Sequence, residues 1–520
     1  MKNLIIGLHS AGHDANISVF NIITEEFKYL KFERLTGVKG QYHRDLTTWV
    51  NYLNHLGHDI SEVQVVFVVE GGDFKRTFDF PFLDVEIDFV DHHLAHHWST
   101  FDINSITIDA IGSQMDSLSI YKKNQPRLKL SALHHSSLGR DLEELYDVWF
   151  LSKKSLAKLR KDNFSLSQRV HHAGHIMALA AFGENHEKYL IPPKHYWSLK
   201  EDENLKGLQY YYAPNVWENY KQFKDKLIKL VCDPCKSFDD AYVMNSFVKS
   251  LHHYWYNKIK RHLLKEFSKN QAFSLTGGVG HNIILNTMLK ETFPNMNATP
   301  HCGDEGLSIG ALKYGLYLLN NHNKRYRVHK KIHQIHQHDE NFGYASRQTI
   351  QQTAQYLKEG KIVMWGQGWG EIGPRALGYR SILVDPCLEN AKNIINERIK
   401  KRAWFRPYGA SVTKDSYQMY FDLNYESPWM LYQARVKDPD KFKNITHKDG
   451  TCRIQTVDES NKSYYALLNY FSELSGYPVL INTSMNIPGK AMIGTKNQAK
   501  IMFDNSLADV LVMGDNIYTK

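Results

Sequence analysis

The stretch LIIGLHSAGHDANISVF, residues 4–20, decides the fold class. An apolar run, a turn holding Gly12 and a second apolar run read as strand, turn and strand. His13 and Asp14 sit in that turn, polar residues between two apolar flanks. Working outward, VQVVFVV (63–69) and SITIDA (105–110) are further short apolar runs of strand type. Asp239 to Lys269 is predicted as one long helix, followed by a strand in AFSLTGG and a helix from about Asn282. GLSIGALKYGLYLLN (306–320) is a further helix. Strands alternating with helices give an α/β class. Residues 321–340 are polar and basic, with four histidines from His329 to His338, and read as a linker. Beyond Phe342 the pattern resumes with a helix (345–359), a strand in KIVMWGQ and the loop GWGEIGPRALGYRS. No internal repeat of roughly 20–50 residues is visible.

The 520 residues are 42% hydrophobic and 23% charged, which suits a globular protein with a sizeable core. That excludes a disordered tail, a collagen-like chain and a small disulfide scaffold. No apolar run reaches the ~18 residues of a membrane span, and the N-terminus does not read as a signal peptide. Five cysteines in this length fit a reducing compartment, so a soluble cytoplasmic protein without a membrane partner is expected. The net charge is +9, yet residues 121–270 hold 26 Lys+Arg against 16 Asp+Glu. The same segment carries Tyr210, Tyr211, Tyr212, Trp217 and Tyr220, and the run Lys153, Lys154, Lys158, Arg160 and Lys161. Cations interleaved with aromatics can track a phosphate backbone and stack on bases. A solvated insertion with aromatics in its core accounts for the pattern equally well.

Several motifs carry chemistry. In DHHLAHH (91–97), His92 and His96 share a helix face and can bind one transition metal. His93 and His97 form an equally good pair. Asp304, in HCGDEG (301–306), and Asp109, at a strand end, are candidate carboxylate ligands. TGGVGHN (276–282) follows a strand and opens a helix, so Gly277 and Gly278 can let the backbone approach a phosphate. The C-terminal region adds Arg375, Arg380, Lys400, Lys401, Arg402, Arg406 and Arg453, with Ser484 and Asn486 in NTSMN. Fixed cations among short polar residues suit a phosphate-rich ligand. Cys232 and Cys235 form a lone CxxC without a second pair.

Taken in order, these blocks resemble the NodU/CmcH-type O-carbamoyltransferases. GLHSAGHDANISVF, FERLTGVKGQYH, DHHLAHH, TGGVGHNIILN, CGDEGLSIGA, GPRALGYRSIL, IKKRAWFRPYGASV, RIQTV and PVLINTSMN carry the likeness. The chain departs from the usual pattern at His97, His175, Ala178, Trp369, Gly370 and Ala403. The resemblance implies an N-terminal actin/Hsp70-like domain (1–320), similar to threonylcarbamoyladenosine synthase proteins, with a basic insertion near 121–270. A linker (321–340) and a smaller YrdC-like α/β domain (341–520) would follow. By that resemblance, the C-terminal domain forms carbamoyl adenylate from carbamoyl phosphate and ATP, with Mg, and the N-terminal domain transfers the carbamoyl group to a hydroxyl. Lys400, Arg402, Arg406 and Arg453 would clamp carbamoyl phosphate with Ser484 and Asn486. Gly277, Gly278, Asn282 and Arg375 would face the nucleotide. His92, His96, Asp304 and Asp109 would hold Fe(II) or another divalent transition metal. His13 and Asp14 are the candidates for general base, with Lys400 and Arg406 as further catalytic groups. The acceptor leans to a hydroxymethylpyrimidine such as hydroxymethylcytosine in DNA. A hydroxylated small molecule is the alternative, tRNA threonylcarbamoyl transfer a remote one, and a homodimer a possible assembly.

Overall fold

A computed structural model of the chain describes residues 2–10, 13–41, 46–69, 85–100, 104–109, 118–122, 125–131, 177–185, 242–323, 336–401 and 406–520. The chain divides into two compact units, residues 1–132 with 269–520, and residues 133–268.

The first unit opens with β1 (Leu4–His9), β2 (Asn16–Asn21) and β3 (Phe27–Lys31), an antiparallel meander. Helix α1 (Leu46–His55) leads to β4 (Val63–Val69) and β5 (Glu86–Val90), which run parallel to β1. The sheet order is β3-β2-β1-β4-β5. Helix α2 (His92–Ser99) then leads to a second sheet. Its β6 (Ser105–Ile108), β7 (Leu118–Lys122) and β8 (Gln125–Ser131) form another antiparallel meander. Its β9 (Phe273–Thr276) and β10 (Met296–Ala298) run parallel to β6. The order is β8-β7-β6-β9-β10, so the second sheet repeats the first in both strand order and direction. The repeat lies in the topology, which explains why no repeated letters mark it.

In the second unit, α3 (Tyr242–Glu266) falls within the span read from the sequence. Val248, His252, Trp255, Ile259 and Leu263 are buried at helical spacing. Most of the basic segment, its tyrosine cluster, the Lys153–Lys161 run, Cys232 and Cys235 lie outside the described residues.

Returning to the first unit, α4 (Ile283–Thr292) joins β9 to β10. Helix α5 (Leu307–Asn323) lies against the first sheet. Three glycines permit its approach. A Cβ on Gly310 would stand 1.7 Å from the Ala95 carbonyl oxygen on α2, one on Gly315 2.2 Å from the Phe67 ring, and one on Gly7 of β1 2.0 Å from the Ser308 oxygen. Ile5, Phe67, Ala95, Ile309, Leu312 and Leu316 fill the space between.

The C-terminal part builds one sheet of nine strands around β11 (Val363–Gly366), β12 (Arg380–Val384) and β13 (Gly409–Thr413). The others are β14 (Phe421–Asp422), β15 (Tyr432–Val436), β16 (Thr451–Val457), β17 (Val479–Ser484), β18 (Val510–Met513) and β19 (Asn516–Thr519), in the order β14-β15-β16-β13-β17-β12-β11-β18-β19. Helix α6 (Arg347–Lys358) packs with α7 (Lys462–Ser475), and their apolar residues share one core with the sheet. Two buried arginines hold the connections. The Arg34 guanidinium donates to the carbonyls of Glu371 and Gly373, at 3.1 and 2.9 Å. Arg380 donates to the carbonyls of Gln367, Gly368, Tyr379 and Glu340 and pairs with Asp339 at 3.3 Å. Arg380 therefore serves the fold, where its motif had placed it among phosphate-binding cations. The described end of the linker is also built in, since His338 N–H donates to the Tyr29 carbonyl at 2.7 Å.

Two outcomes test this packing. Alanine normally favours a helix interior over glycine, but Gly310→Ala should destabilise the protein by about 1–3 kcal/mol in denaturant melts, because backbone blocks the methyl. Buried Lys313 donates to the Thr100 carbonyl at 2.7 Å, and burial lowers its pKa to about 8. The unfolded chain then binds the extra proton, so this residue's contribution to stability should rise as pH climbs from about 8 toward the ordinary value of 10.5. Melts of Lys313→Met should lack that rise.

Candidate functional site

The site begins with α2. Asp91 caps it by accepting from Leu94 N–H at 2.9 Å, which fixes where the first turn starts. His92 and His96 then project one turn apart, with ring centroids 4.8 Å from each other. Asp109 stands just past the end of β6, and Asp304 in the turn before α5. Donor atoms of His92, His96, Asp109 and Asp304 all lie within 4.8 Å of one another, and all four residues are buried. His92 Nε2 is 3.2 Å from Asp109 and 3.7 Å from Asp304. His96 Nε2 is 3.8 Å from Asp109 and 3.4 Å from Asp304, yet it makes no ordinary hydrogen bond. Two imidazoles and two carboxylates converging on one point, one nitrogen left without a hydrogen bond, fit a divalent transition metal.

The other histidine pair faces elsewhere. His93 Nδ1 meets Ser119 Oγ at 2.7 Å, and His97 lies 2.7 Å from Ser105 Oγ and 2.9 Å from Ser119 Oγ. Burial lowers the His93 pKa to about 4 and holds His97 well below the usual range, so both stay neutral. Of the two pairs, His92 and His96 are the one grouped with Asp109 and Asp304.

The first turn reaches the same cluster. Asp14 has φ 59°, a left-handed conformation costly for a residue other than glycine. His13 Nε2 lies 3.5 Å from Asp304, and its Nδ1 lies 2.8 Å from Asp14. Burial disfavours a charge on His13, but Asp304 and then Asp14 outweigh it and raise its pKa to about 10. Burial likewise opposes the charge on His92, where Asp109 and Asp304 raise the pKa to about 9. Burial would lift both carboxyls, yet these histidines hold Asp109 and Asp304 below the usual carboxylate range. Without a cation, protons on histidine thus balance the carboxylates. Asp14 also pairs with Lys31 at 2.7 Å, and Lys31 with Glu33 at 3.1 Å. Lys31 and buried His9, 3.8 Å from Asp304, are site neighbours the motifs did not flag.

The glycine turn supports this centre. Gly277 has φ 90°, and a Cβ there would come 2.3 Å from the Ile108 oxygen. Gly278 N–H donates to Asp109 at 3.1 Å. Asn282 was expected to face a nucleotide. Its side-chain oxygen caps α4, accepting from Ile284 and Leu285 N–H at 3.1 and 3.0 Å. Arg375 donates to the His281 carbonyl at 3.1 Å and so bridges the GPRALG loop to this turn.

A second constellation forms in the nine-stranded sheet. Lys400 Nζ donates to the Ser484 and Asn486 carbonyls at 2.7 and 2.8 Å and to Asn486 Oδ1 at 2.7 Å. Ser484 Oγ donates to the same Oδ1 at 2.6 Å. Arg453, on β16, lies over Gly409, where a Cβ would meet its Nε at 3.1 Å. Arg406 is close enough to help lower the Lys39 pKa, behind burial as the main cause. Arg402 lies outside the described residues. Among those that are described, no helix is long and apolar enough to cross a membrane.

If the four-residue cluster holds metal, His92→Ala or His96→Ala should weaken transition-metal affinity at that centre by at least about tenfold in equilibrium dialysis. His93→Gln should leave it near the wild-type value.

Comparison with known proteins gives two family matches. Carbamoyltransferase N-terminus covers residues 39–312, and Carbamoyltransferase C-terminus covers 354–520. An uncharacterized protein of Methanocaldococcus jannaschii is 27% identical over 449 residues, spanning 80% of this chain and 71% of that protein. The nodulation protein NolNO of Sinorhizobium fredii is 29% identical over 291 residues, 51% of this chain and 42% of that one. A 3'-hydroxymethylcephem-O-carbamoyltransferase of Amycolatopsis lactamdurans is 35% identical over 165 residues, 32% of each chain. Those last two alignments span less than two thirds of either relative.

Proposed function

This chain belongs to the carbamoyltransferase family, and we propose that it is an ATP-dependent O-carbamoyltransferase. Carbamoyl phosphate, ATP and water would give carbamoyl adenylate, phosphate and pyrophosphate in the C-terminal part. The acceptor oxygen would then bond to the carbamoyl carbon in the N-terminal part, with AMP leaving. The observation that carries this reading is the convergence of His92, His96, Asp109 and Asp304 beside His13. The duplicated sheet order supports an actin/Hsp70-like N-terminal domain, and the YrdC-like assignment remains part of the proposal.

The Lys400 ammonium is committed to the Ser484 and Asn486 carbonyls and to Asn486 Oδ1, so it would shape the Ser484–Asn486 loop around carbamoyl phosphate as a positioning residue. Arg453 and Arg406 add charge for carbamoyl phosphate. His92, His96, Asp109 and Asp304 would hold a divalent ion such as Fe(II), which would supply Lewis-acid charge at the site of carbamoyl transfer. His13, protonated at neutral pH beside Asp304 and Asp14, donates a hydrogen bond there rather than accepting a proton. As general base, His13 would first have to give up that proton, while Asp14, the other candidate, pairs with His13 and Lys31.

The acceptor group would be a hydroxyl. Hydroxymethylpyrimidine in DNA is favoured by the +10 balance of residues 121–270, and a target base in a duplex would have to be flipped out. A second reading, a hydroxylated small molecule such as a natural product or sugar, is favoured by the cephem-modifying relative. Incubation with ATP, magnesium and labelled carbamoyl phosphate should place label on hydroxymethylcytosine-containing DNA; label only on small acceptors would remove the DNA reading, and label on neither would remove both. Lys400→Ala should cut carbamoyl-phosphate-dependent pyrophosphate release by at least about 100-fold, while His92→Ala should retain more of that release than of transfer.

A further inference from the structure

A second cluster lies on the other side of the Asp304 turn. Where Asp304 faces the first centre, Glu305 faces His281 and Cys302. His281 Nε2 is 3.0 Å from Glu305 Oε1. Cys302 Sγ is 3.4 Å from His281 Nδ1 and 3.9 Å from Nε2. One donor atom from each of the three residues lies within 4.8 Å of the others. Around a tetrahedral ion with bonds of about 2.0–2.3 Å, neighbouring ligand atoms are separated by roughly 3.3–3.8 Å.

We propose that His281, Cys302 and Glu305 form a second metal site, of the thiolate–imidazole–carboxylate class that suits zinc. The geometry around the cluster carries this. Cys302 is fully buried, which does not suit a thiol acting as a nucleophile toward substrate. His281 keeps 24% of its side chain exposed, leaving a solvent-facing side for entry and a fourth ligand. Two glycines keep the shell uncrowded. A Cβ on Gly280 would stand 2.9 Å from Cys302 Sγ, and one on Gly303 2.9 Å from His281 Nε2. A plain histidine–glutamate pair requires neither the thiol on the same ring nor this clearance.

Both ligand-bearing turns are already anchored. Gly277 N–H donates to the Cys302 carbonyl at 2.7 Å, and Thr276 Oγ1 to the same oxygen at 2.9 Å. An ion here would staple the turn that supplies Gly278 N–H to Asp109 onto the turn that supplies Asp304. Its role is structural, and it does not depend on which acceptor the enzyme uses.

The test uses the full chain, stripped of metal and reconstituted with Co(II). A thiolate-to-cobalt charge-transfer band should appear in the wild type, in His92→Ala and in the double variant Cys232→Ser/Cys235→Ser. The band should vanish in Cys302→Ser. Metal content should fall by one equivalent in Cys302→Ser and in His281→Gln, and independently by one in His92→Ala. His281→Gln, at a partly exposed position, provides the comparison if Cys302→Ser does not fold. An unchanged band in Cys302→Ser, unchanged metal in His281→Gln, or loss of all metal in His92→Ala would overturn the site. None of these readouts is carbamoyl transfer, so a wrong functional reading and a wrong second site fail separately.

Discussion

The backbone contact between α2 and α5 is the constraint on which the rest depends. Gly310 lies against the Ala95 carbonyl with no room for a methyl group. That approach sets the start of α5, and with it the Asp304 turn, beside the histidine face of α2. With the helices so placed, donor atoms from α2, a strand end and the turn before α5 lie within 4.8 Å of one another. A bulkier crossing, at the usual helix spacing of about 8–10 Å, would hold the carboxylate away from the imidazoles. Close packing here is a condition of the chemistry as much as of stability.

Electrostatics makes the same point differently. The cluster places two buried carboxylates together, which is costly unless positive charge accompanies them. Asp109 and Asp304 raise the pKa of His92, and Asp304 and Asp14 that of His13, so these histidines can carry that charge. The site is thus poised between two compensations, protons or a cation, and binding a metal must release protons. Lys31, between Asp14 and Glu33, neutralises the next layer outward.

Much of the fold was legible because period and end signals agree locally. The strands of LIIGLHSAGHDANISVF, the long helix ending near Glu266 and the helices after Asn282 and Gly306 all fall where the patterns place them. His92, His96, Asp109 and Asp304 were legible as candidates, since helical spacing and a strand end bring such residues to one side. Three features were not. Sheet order is a tertiary property, so the duplicated topology has no repeated letters to reveal it. His281 and Cys302 are 21 positions apart and meet only because two turns pack, so no spacing rule unites them. A sequence also cannot distinguish a cation awaiting a ligand from one committed to carbonyls, as Arg380 is, or a ligand-facing amide from a helix cap, as Asn282 is.

The second sheet repeats the strand order of the first, with a far longer connection between its third and fourth strands. Residues 133–268 leave after β8 and the chain returns near β9, and every ligand of both clusters lies outside that span. In the first sheet, the described residues of the corresponding connection between β3 and β4 hold two short helical turns, Glu33–Thr36 and Ile60–Glu62, and α1. The large segment therefore behaves as a cassette, spliced between two strands whose pairing it does not supply. Lengthening such a connection costs little beyond loop-closure entropy, which grows only slowly with length. A segment placed there can change in length and sequence while the two duplicated sheets keep their strand order.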